Sequence, residues 1–278
     1  MRRLPRLVLA GLVLALGLVS AAPGADGHPT PPNRPTIVLV HGAWADSSSW
    51  AAVIARLQRD GFEVYSVPNP LRGLQGDAAA TSAFLASGSG PVVLVGHSYG
   101  GAVITNAAAG DPHVMALVYV NAFIPDEGES VLQLAAAQPG SALAVPDPST
   151  VFRFVSYPGA PPGDADAYVL PSVFPAAFAN DLPLHTARVL AATQRPVALG
   201  ALAAPSGPPA WRTTPSWALV GTEDHVLPPA EQLIMAERAG ATVVRVPASH
   251  LSMVSQPKAV ADLIEDAASS VPSTREGR

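Results

Sequence analysis

One serine in this chain lies in a pattern that can make its hydroxyl a nucleophile. Residues 96–100 read Gly-His-Ser-Tyr-Gly, after an apolar run at 91–95 and before a helical pattern. A strand that turns sharply into a helix strains its central residue and brings backbone close on both sides, which leaves no room for side chains at Gly96 and Gly100. The pattern therefore predicts a nucleophile elbow with Ser98 at its tip.

A serine hydroxyl needs a base and a carboxylate to become a strong nucleophile, and in elbow-type sites they follow it in the order acid, then histidine. Asp224 comes after a strand pattern at 217–221, and His250 comes after another at 242–247. Both residues would stand at the carboxyl ends of strands, where open α/β sheets place their sites. We predict His250 as the general base and Asp224 as the carboxylate that orients it.

Other residues compete for these two roles. Glu223 is the nearest alternative acid, and Asp126, after the strand pattern near 117–121, is a more distant one. Among the histidines, only His250 follows a late strand after the acid. We expect His97, inside the elbow, to point away from the serine hydroxyl and to be structural. The remaining histidines are His28, His41, His113, His185 and His225.

Attack on an ester also requires an oxyanion hole, usually built from backbone N–H groups. One donor is expected to be the amide of Tyr99, directly after the nucleophile. The other is expected from the loop after the strand pattern at 36–40, where Gly42 lets the backbone approach closely. We predict the Ala43 amide as this second donor, with the Trp44 amide as the alternative.

Four segments together resemble the α/β-hydrolase superfamily: 38–44, 96–101, 221–224 and 249–250. The resemblance covers about residues 35–270. Within the superfamily, the chain is similar to the small-lid branch that contains plant methylesterases, hydroxynitrile lyases and bacterial carboxylesterases. It implies an α/β fold, with a mainly parallel sheet, helices on both faces and a small lid insertion, and a Ser-Asp-His triad that hydrolyses esters.

The alternation of strand and helix patterns agrees with that fold and stops in the middle of the chain. Apolar strand runs and helical runs alternate from residue 36 to 121, and a final helix is predicted over 258–269. Such alternation indicates a mainly parallel sheet covered by helices. The Pro- and Ala-rich stretch at about 125–214 is predicted to be the lid. We expect an apolar pocket lined by some of its aromatic residues, which are Phe152, Phe154, Tyr157, Tyr168, Phe174 and Phe178.

Composition limits the classes of partner. The chain has 278 residues, 49% of them apolar and 13% charged, and a net charge of -5 with scattered signs. No basic stripe exists to neutralise phosphates, so we expect no nucleic-acid partner. The sequence has no H-E-x-x-H motif, no clustered histidines and no phosphate-binding glycine loop, so we expect neither a metal nor another cofactor. A small-molecule ester is the expected partner, and the oligomeric state stays open.

The amino terminus is typical of an exported protein. Arg2, Arg3 and Arg6 precede an apolar stretch at 7–19, and small residues follow, with a cleavage site near Ala21. We interpret residues 1–22 as a signal peptide, 23–34 as a disordered linker, 35–272 as one hydrolase domain and 273–278 as a frayed tail. An uncleaved anchor and the twin-arginine route are alternatives. The mature protein is then expected to be secreted, outside the cell or in its envelope, with no stable membrane span.

The expected function is hydrolysis of small or medium uncharged carboxylic esters through an acyl-enzyme on Ser98. The alternatives are a cofactor-free lyase, a perhydrolase or haloperoxidase-like activity on the same triad, and a non-catalytic ligand-binding homologue. Hydroxynitrile lyases of the small-lid branch commonly carry a lysine just after the catalytic histidine and a threonine in the loop after the first strand. Those positions are Leu251 and Gly42 here, so no cation stands beside the histidine to receive cyanide.

Overall fold

The computed structural model describes residues 34–271. The expected signal peptide at 1–22, the linker up to residue 33 and the tail at 273–278 lie outside the described residues. No helix within residues 34–271 is long and apolar enough to cross a membrane.

A six-stranded parallel sheet forms the centre of the described chain, in the spatial order β2-β1-β3-β4-β8-β9. Its strands are rich in Val, Ile and Leu and mostly buried, as expected where helices cover both faces of a parallel sheet. They are β1 (Thr36–Val40), β2 (Val64–Val67), β3 (Val92–His97), β4 (Val114–Val120), β8 (Ser216–Gly221) and β9 (Thr242–Val246). The predicted α/β fold with a mainly parallel sheet is confirmed.

Helices flank this sheet in two packed pairs, α1 against α10 and α2 against α3. The last of them, α10, begins and ends within one residue of the helix predicted over 258–269. The flanking helices are α1 (Ala51–Arg59), α2 (Leu74–Leu85), α3 (Tyr99–Ala107), α8 (Pro229–Arg238) and α10 (Pro257–Ser270). A short helix, α9 (Ser252–Ser255), precedes the last of them.

The register of the parallel strands aligns their carboxyl ends along one edge. Val40 of β1 lies beside Gly96 of β3, and Val120 of β4 lies beside both His97 of β3 and Leu219 of β8. Five loops therefore leave the sheet next to one another. They begin after residues 40, 97, 120, 221 and 246, and these loops carry all the predicted site residues.

Between β4 and β8 the chain forms a small layer of its own, which we call the lid. Its three-stranded antiparallel sheet consists of β5 (Phe152–Val155), β6 (Asp166–Val169) and β7 (Val197–Ala198). Its helices are α4 (Val131–Ala135), α5 (Phe174–Phe178), α6 (Leu184–Thr193) and α7 (Leu199–Ala203). The sequence showed only a loss of alternation here, because every lid element except α6 has only two to five residues, too few for a periodic pattern.

The lid is attached to the loop after β1 through one residue. Trp44 donates its backbone amide to the Arg195 carbonyl at 3.0 Å and its indole Nε1–H to the Ala167 carbonyl at 2.8 Å. Its ring also stacks on Phe152 with the centroids 5.4 Å apart. These contacts join the lid strands to the loop that carries the predicted oxyanion donor.

Candidate active site

The turn between β3 and α3 has the strained geometry of a nucleophile elbow. Ser98 has φ 52° and ψ −125°, a backbone region that residues other than glycine rarely adopt. A Cβ at Gly96 would lie 2.6 Å from the Gly100 carbonyl oxygen, and a Cβ at Gly100 would lie 2.5 Å from the Val40 carbonyl oxygen. The steric requirement that the sequence predicted for these two glycines is therefore confirmed.

The structure brings the three predicted site residues into one hydrogen-bonded chain. The His250 Nε2 lies 2.9 Å from the Ser98 Oγ, and the His250 Nδ1 lies 2.8 Å from the Asp224 Oδ2. All three residues are almost completely buried. Since the carboxylate accepts hydrogen bonds, Nδ1 carries the ring proton, and Nε2 is then free to accept the serine hydroxyl proton.

Both carboxylate oxygens of Asp224 are saturated with hydrogen bonds. Two backbone amides donate to Oδ1, and two side-chain amides donate to Oδ2 in addition to His250. These donors are the Val226 N at 2.8 Å, the Leu227 N at 2.9 Å, the Asn121 Nδ2 at 2.9 Å and the Gln232 Nε2 at 2.9 Å. Such bonds fix the orientation of the carboxylate.

The alternative acids lie elsewhere. Glu223 is exposed, and its backbone carbonyl accepts a hydrogen bond of 3.2 Å from the Asn180 side chain of the lid. Asp126 forms a partly exposed ion pair with Arg212 at 2.6 Å. The geometry therefore favours Asp224 over both as the partner of His250.

The loop after β1 lies directly against the elbow. A Cβ at Gly42 would be 2.6 Å from the Ser98 Cβ. The His41 ring holds this loop: its Nδ1 lies 2.9 Å from the Gly42 carbonyl, and its Nε2 accepts the Asn69 amide at 3.0 Å. Burial lowers the pKa of His41 below its usual value, which keeps the ring neutral and able to accept that bond.

The backbone amides beside Ser98 differ in whether they already have an acceptor. The Trp44 amide donates to Arg195 of the lid. Among residues 34–271, no hydrogen-bond acceptor is found for the Ala43 amide or for the Tyr99 amide. Two unused donors beside a nucleophile are what an oxyanion hole requires.

The Tyr99 side chain is held by a carboxylate that the sequence analysis missed. Its hydroxyl donates to the Asp77 Oδ2 at 2.7 Å, and both residues are fully buried. Burial and the negative charge of Asp77 raise the pKa of Tyr99 well above its usual value. The phenol therefore remains a protonated donor to Asp77. This hydrogen bond anchors the Tyr99 side chain and so helps to hold the Tyr99 backbone, directly after Ser98, in place.

The His97 side chain does not bond to the serine hydroxyl, as predicted. Its Nε2 donates to the His250 carbonyl at 2.9 Å, and its ring centroid lies 4.8 Å from that of His250. Burial, and secondarily the proximity of His250, lowers the pKa of His97 well below its usual value. A neutral His97 therefore supports the backbone of the base without adding a positive charge beside it.

The lid segment from α5 to Asp181 contacts two loops at the edge of the sheet. We call the loop that carries Asp224 the acid loop and the loop that carries His250 the base loop. The Phe178 carbonyl accepts the Ser249 hydroxyl at 3.0 Å, and the Phe178 ring meets the His250 ring edge-on with centroids 5.3 Å apart. The Asp181 Oδ2 accepts the Ser249 amide at 3.0 Å. On the acid side, the Ala176 carbonyl lies 3.2 Å from the His225 Nδ1. The lid thus helps to hold the loops that carry Asp224 and His250.

A cavity of about 540 Å³ opens onto Ser98 between the sheet edge and the lid. Aliphatic and aromatic side chains form most of its wall, and no charged residue among 34–271 lines it. Phe152 and Phe154 are among the lining residues, which confirms that part of the predicted aromatic set faces the pocket. Phe174 and Phe178 instead stack on each other with centroids 4.6 Å apart and are completely buried.

Asn121 and Gln232 are two further site residues, besides Asp77, that sequence reasoning missed. Asn121 stands at the carboxyl end of β4, where a polar residue ends an apolar strand, and that position was a usable signal. Gln232 lies inside α8, eight residues after Asp224, and nothing in its local pattern distinguishes it from a surface glutamine.

Comparisons with known proteins agree with this fold. A family model described as alpha/beta hydrolase family matches residues 37–263. A carbendazim-hydrolysing esterase from Nocardioides sp. (strain SG-4G) is 34% identical over 110 residues, which are 35% of this chain and 46% of that esterase. The chain therefore matches about half the length of that relative.

Solved structures share the whole fold. The crystal structure of polyneuridine aldehyde esterase has a TM-score of 0.71 at 21% identity, covering 84% of this chain and 98% of that one. The methylesterase MES16 from Arabidopsis has a TM-score of 0.69 at 18% identity, covering 84% and 99%. At these identities the likeness shows the fold alone. With the family model spanning most of its length, the chain belongs to the alpha/beta hydrolase family.

Proposed function

We propose that this protein is a serine hydrolase that cleaves small or medium uncharged carboxylic esters. The observation that carries the proposal is the position of His250, within hydrogen-bond distance of both Ser98 and Asp224, where Ser98 itself lines an apolar cavity. The esterases among the similar proteins support the same class of reaction.

In the proposed reaction, the Ser98 Oγ attacks the ester carbonyl carbon while His250 Nε2 takes the hydroxyl proton. Asp224 stabilises the imidazolium that forms, and the amides of Ala43 and Tyr99 bind the developing oxyanion. His250 then passes the proton to the leaving alcohol, which departs as the acyl-enzyme forms. Water, activated by His250 in the same way, attacks the acyl carbon and releases the carboxylic acid and Ser98.

The cavity supports the proposed substrate class. Its volume of about 540 Å³ lies within the range of small-molecule sites, roughly 300–1,000 Å³. Because no charged side chain lines it, a charged acyl group would lose its hydration without gaining a partner. The lyase alternative has no support here, since the residue after His250 is the buried Leu251 and no cation of the described residues lines the cavity.

The first experiment is covalent labelling of the purified protein with a fluorophosphonate, with the label located by peptide mass spectrometry. The same preparation is assayed on p-nitrophenyl esters of increasing acyl length. We expect label on Ser98 and turnover of the uncharged esters, with an optimum length set by the cavity.

Two variants control this experiment. Ser98→Ala should lose both label and turnover, whereas Ser87→Ala, at an exposed serine after α2, should keep both. A folded wild-type protein that takes no label and turns over no ester would refute the proposal and leave the ligand-binding alternative in its place.

We also propose that the protein is exported. Support comes from the sequence alone: three arginines near the start, an apolar stretch at 7–19 and small residues at the expected cleavage site. Expression of the full chain followed by amino-terminal sequencing of the protein recovered outside the cytoplasm tests this. A mature terminus near Ala22 supports export, and an intact protein found only in the cytoplasm contradicts it.

A further inference from the structure

Asn121 is a buried polar residue held in an unfavourable backbone conformation at the edge of the sheet. It follows β4 directly, has φ 46° and is completely buried. Residues other than glycine rarely adopt positive φ, although asparagine tolerates it better than most. A strained and buried polar residue persists only where its surroundings supply compensating contacts.

The side-chain amide of Asn121 has compensating contacts on both sides. Its Nδ2 donates to the Asp224 Oδ2 at 2.9 Å and to the Ser249 carbonyl at 3.2 Å. Its Oδ1 accepts the Ser252 hydroxyl at 2.6 Å. The residues contacted are the proposed acid and two residues that flank His250, so one side chain joins the acid loop to the base loop.

We propose that Asn121 is a positioning residue for ester hydrolysis, one that orients Asp224 toward His250 and shares with His250 the carboxylate oxygen that faces the ring. This inference rests on the proposed function above. The Asp224 Oδ2 accepts a hydrogen bond from the Asn121 side-chain amide and another from the His250 Nδ1–H. Each donor on this oxygen withdraws some of the negative charge available to the imidazolium, and in a buried site this effect is not screened by water.

Asn121 lies outside the substrate cavity, and this position determines which kinetic constants its loss should change. Asn121 is not among the residues that line the cavity. Its loss should therefore change the chemical step and its pH dependence while leaving substrate binding alone. In kinetic terms, kcat should fall and KM should stay constant.

Asn121→Gly is the main test, because glycine adopts positive φ without strain and only the side chain is lost. Rates are divided by the number of active sites, counted by fluorophosphonate titration. We expect kcat per site to fall roughly tenfold, since a hydrogen bond to a buried charged group is lost. We also expect the acid limb of the kcat/KM profile to move to higher pH, because the less stabilised carboxylate holds the imidazolium proton more firmly.

Asn121→Asp is the second variant, and it keeps the shape of the side chain if the glycine variant fails to fold. It places a second carboxylate beside Asp224, so the acid limb should move further toward high pH than in Asn121→Gly. Tyr119→Phe is the matched control. It removes the buried hydrogen bond of 3.0 Å between Tyr119, two residues before Asn121, and Thr105 of α3, and it should lower stability without moving the pH profile.

The outcomes separate the two proposals. A tenfold fall in kcat per titrated site, together with an acid limb at higher pH than in the wild type, supports the positioning role. Unchanged kcat per site, or a loss explained entirely by fewer titrated sites with the acid limb in place, overturns it in favour of a purely structural role. If the wild-type protein itself takes no label and has no turnover, the proposed function fails, and this inference fails with it.

Discussion

The backbone of Gly42 lies directly against the side chain of Ser98. A Cβ at Gly42 would stand 2.6 Å from the Ser98 Cβ and 2.8 Å from the His97 carbonyl oxygen, closer than non-bonded carbon atoms approach. The loop after β1 and the elbow after β3 therefore fit together only with glycine at this position. The contact also places the Ala43 amide next to the nucleophile.

Gly42→Ala should therefore damage catalysis more than folding. The added methyl group must displace either Ser98 or the loop that carries the Ala43 amide, and loss of one oxyanion donor costs roughly 10²–10³ in kcat. Measurement of kcat on a p-nitrophenyl ester, with thermal unfolding of the same sample, checks this. An unchanged kcat in a folded variant would show that the Ala43 amide is not needed.

Substitution of the proposed acid should have a far larger effect than substitution of its neighbour. Asp224→Asn removes the charge that stabilises the imidazolium and favours the wrong ring tautomer, so kcat should fall roughly 10⁴-fold. Glu223→Gln changes an exposed side chain and should leave kcat within about twofold of the wild type. Parallel kcat measurements compare the two variants. A larger loss in Glu223→Gln than in Asp224→Asn would assign the role of the acid to Glu223 instead.

Trp44→Phe should loosen the lid while keeping an aromatic ring against Phe152. The variant leaves the buried Ala167 carbonyl without the indole donor, at a cost of about 1–3 kcal/mol in unfolding free energy. Because Trp44 lines the cavity, KM for the larger esters should rise.

Trp211→Phe is the matched control for this prediction. The Trp211 indole also donates to a backbone carbonyl, that of Pro125 at 2.9 Å, but Trp211 is not among the cavity residues. Denaturant unfolding should show a stability loss in both variants, and ester kinetics should show a raised KM only for Trp44→Phe. Equal KM values in the two variants would contradict a role for Trp44 in shaping the cavity.

The free energy of unfolding should fall as the pH drops below the pKa of an ordinary histidine. Burial holds the pKa values of His41 and His97 below the unfolded value of 6.5. The unfolded chain therefore binds protons that the folded protein excludes. The stability contributed by the neutral rings is fully present above about pH 6.5 and is lost as the pH falls toward the folded pKa values, by up to about 1.4 kcal/mol per pH unit for each ring.

The measurement is the free energy of unfolding between pH 7.5 and pH 5 for the wild type, His97→Gln and His113→Gln. The first variant removes one of the buried rings and should flatten the pH dependence, whereas His113 is exposed and its variant should follow the wild type. A His97→Gln protein with the wild-type slope would show that His97 is protonated without cost in the folded state.

Much of the fold and of the candidate site could be predicted from local sequence patterns. The apolar runs of β1, β3, β4 and β8 identify buried parallel strands, because a strand covered on both faces is apolar at every position. The residues after those runs were predicted as the site, because the carboxyl ends of parallel strands meet at one edge. Ser98, Asp224 and His250 could be proposed on that basis, with no knowledge of distances.

The supporting residues could not be predicted in the same way. Asn121, Gln232 and Asp77 act through contacts with residues distant in the chain, such as the bond of 2.9 Å from Asn121 to Asp224. Their roles depend on where a side chain points after the sheet has formed, and no spacing rule encodes that. The short strands of the lid were missed for a related reason, since two to four residues show no periodicity.

By itself, the amino-acid sequence determined the order of strands and helices outside the lid, the elbow and the residue types that can carry out acyl transfer. These features depend on side-chain size, polarity and spacing within a few residues. Only the tertiary structure decided that the Trp44 amide is already bonded to the lid, that no charged side chain lines the cavity and that Asn121 joins the acid loop to the base loop. Those facts arise where loops from separate strands and the lid pack at one edge of the sheet, and such packing is a property of the folded chain as a whole.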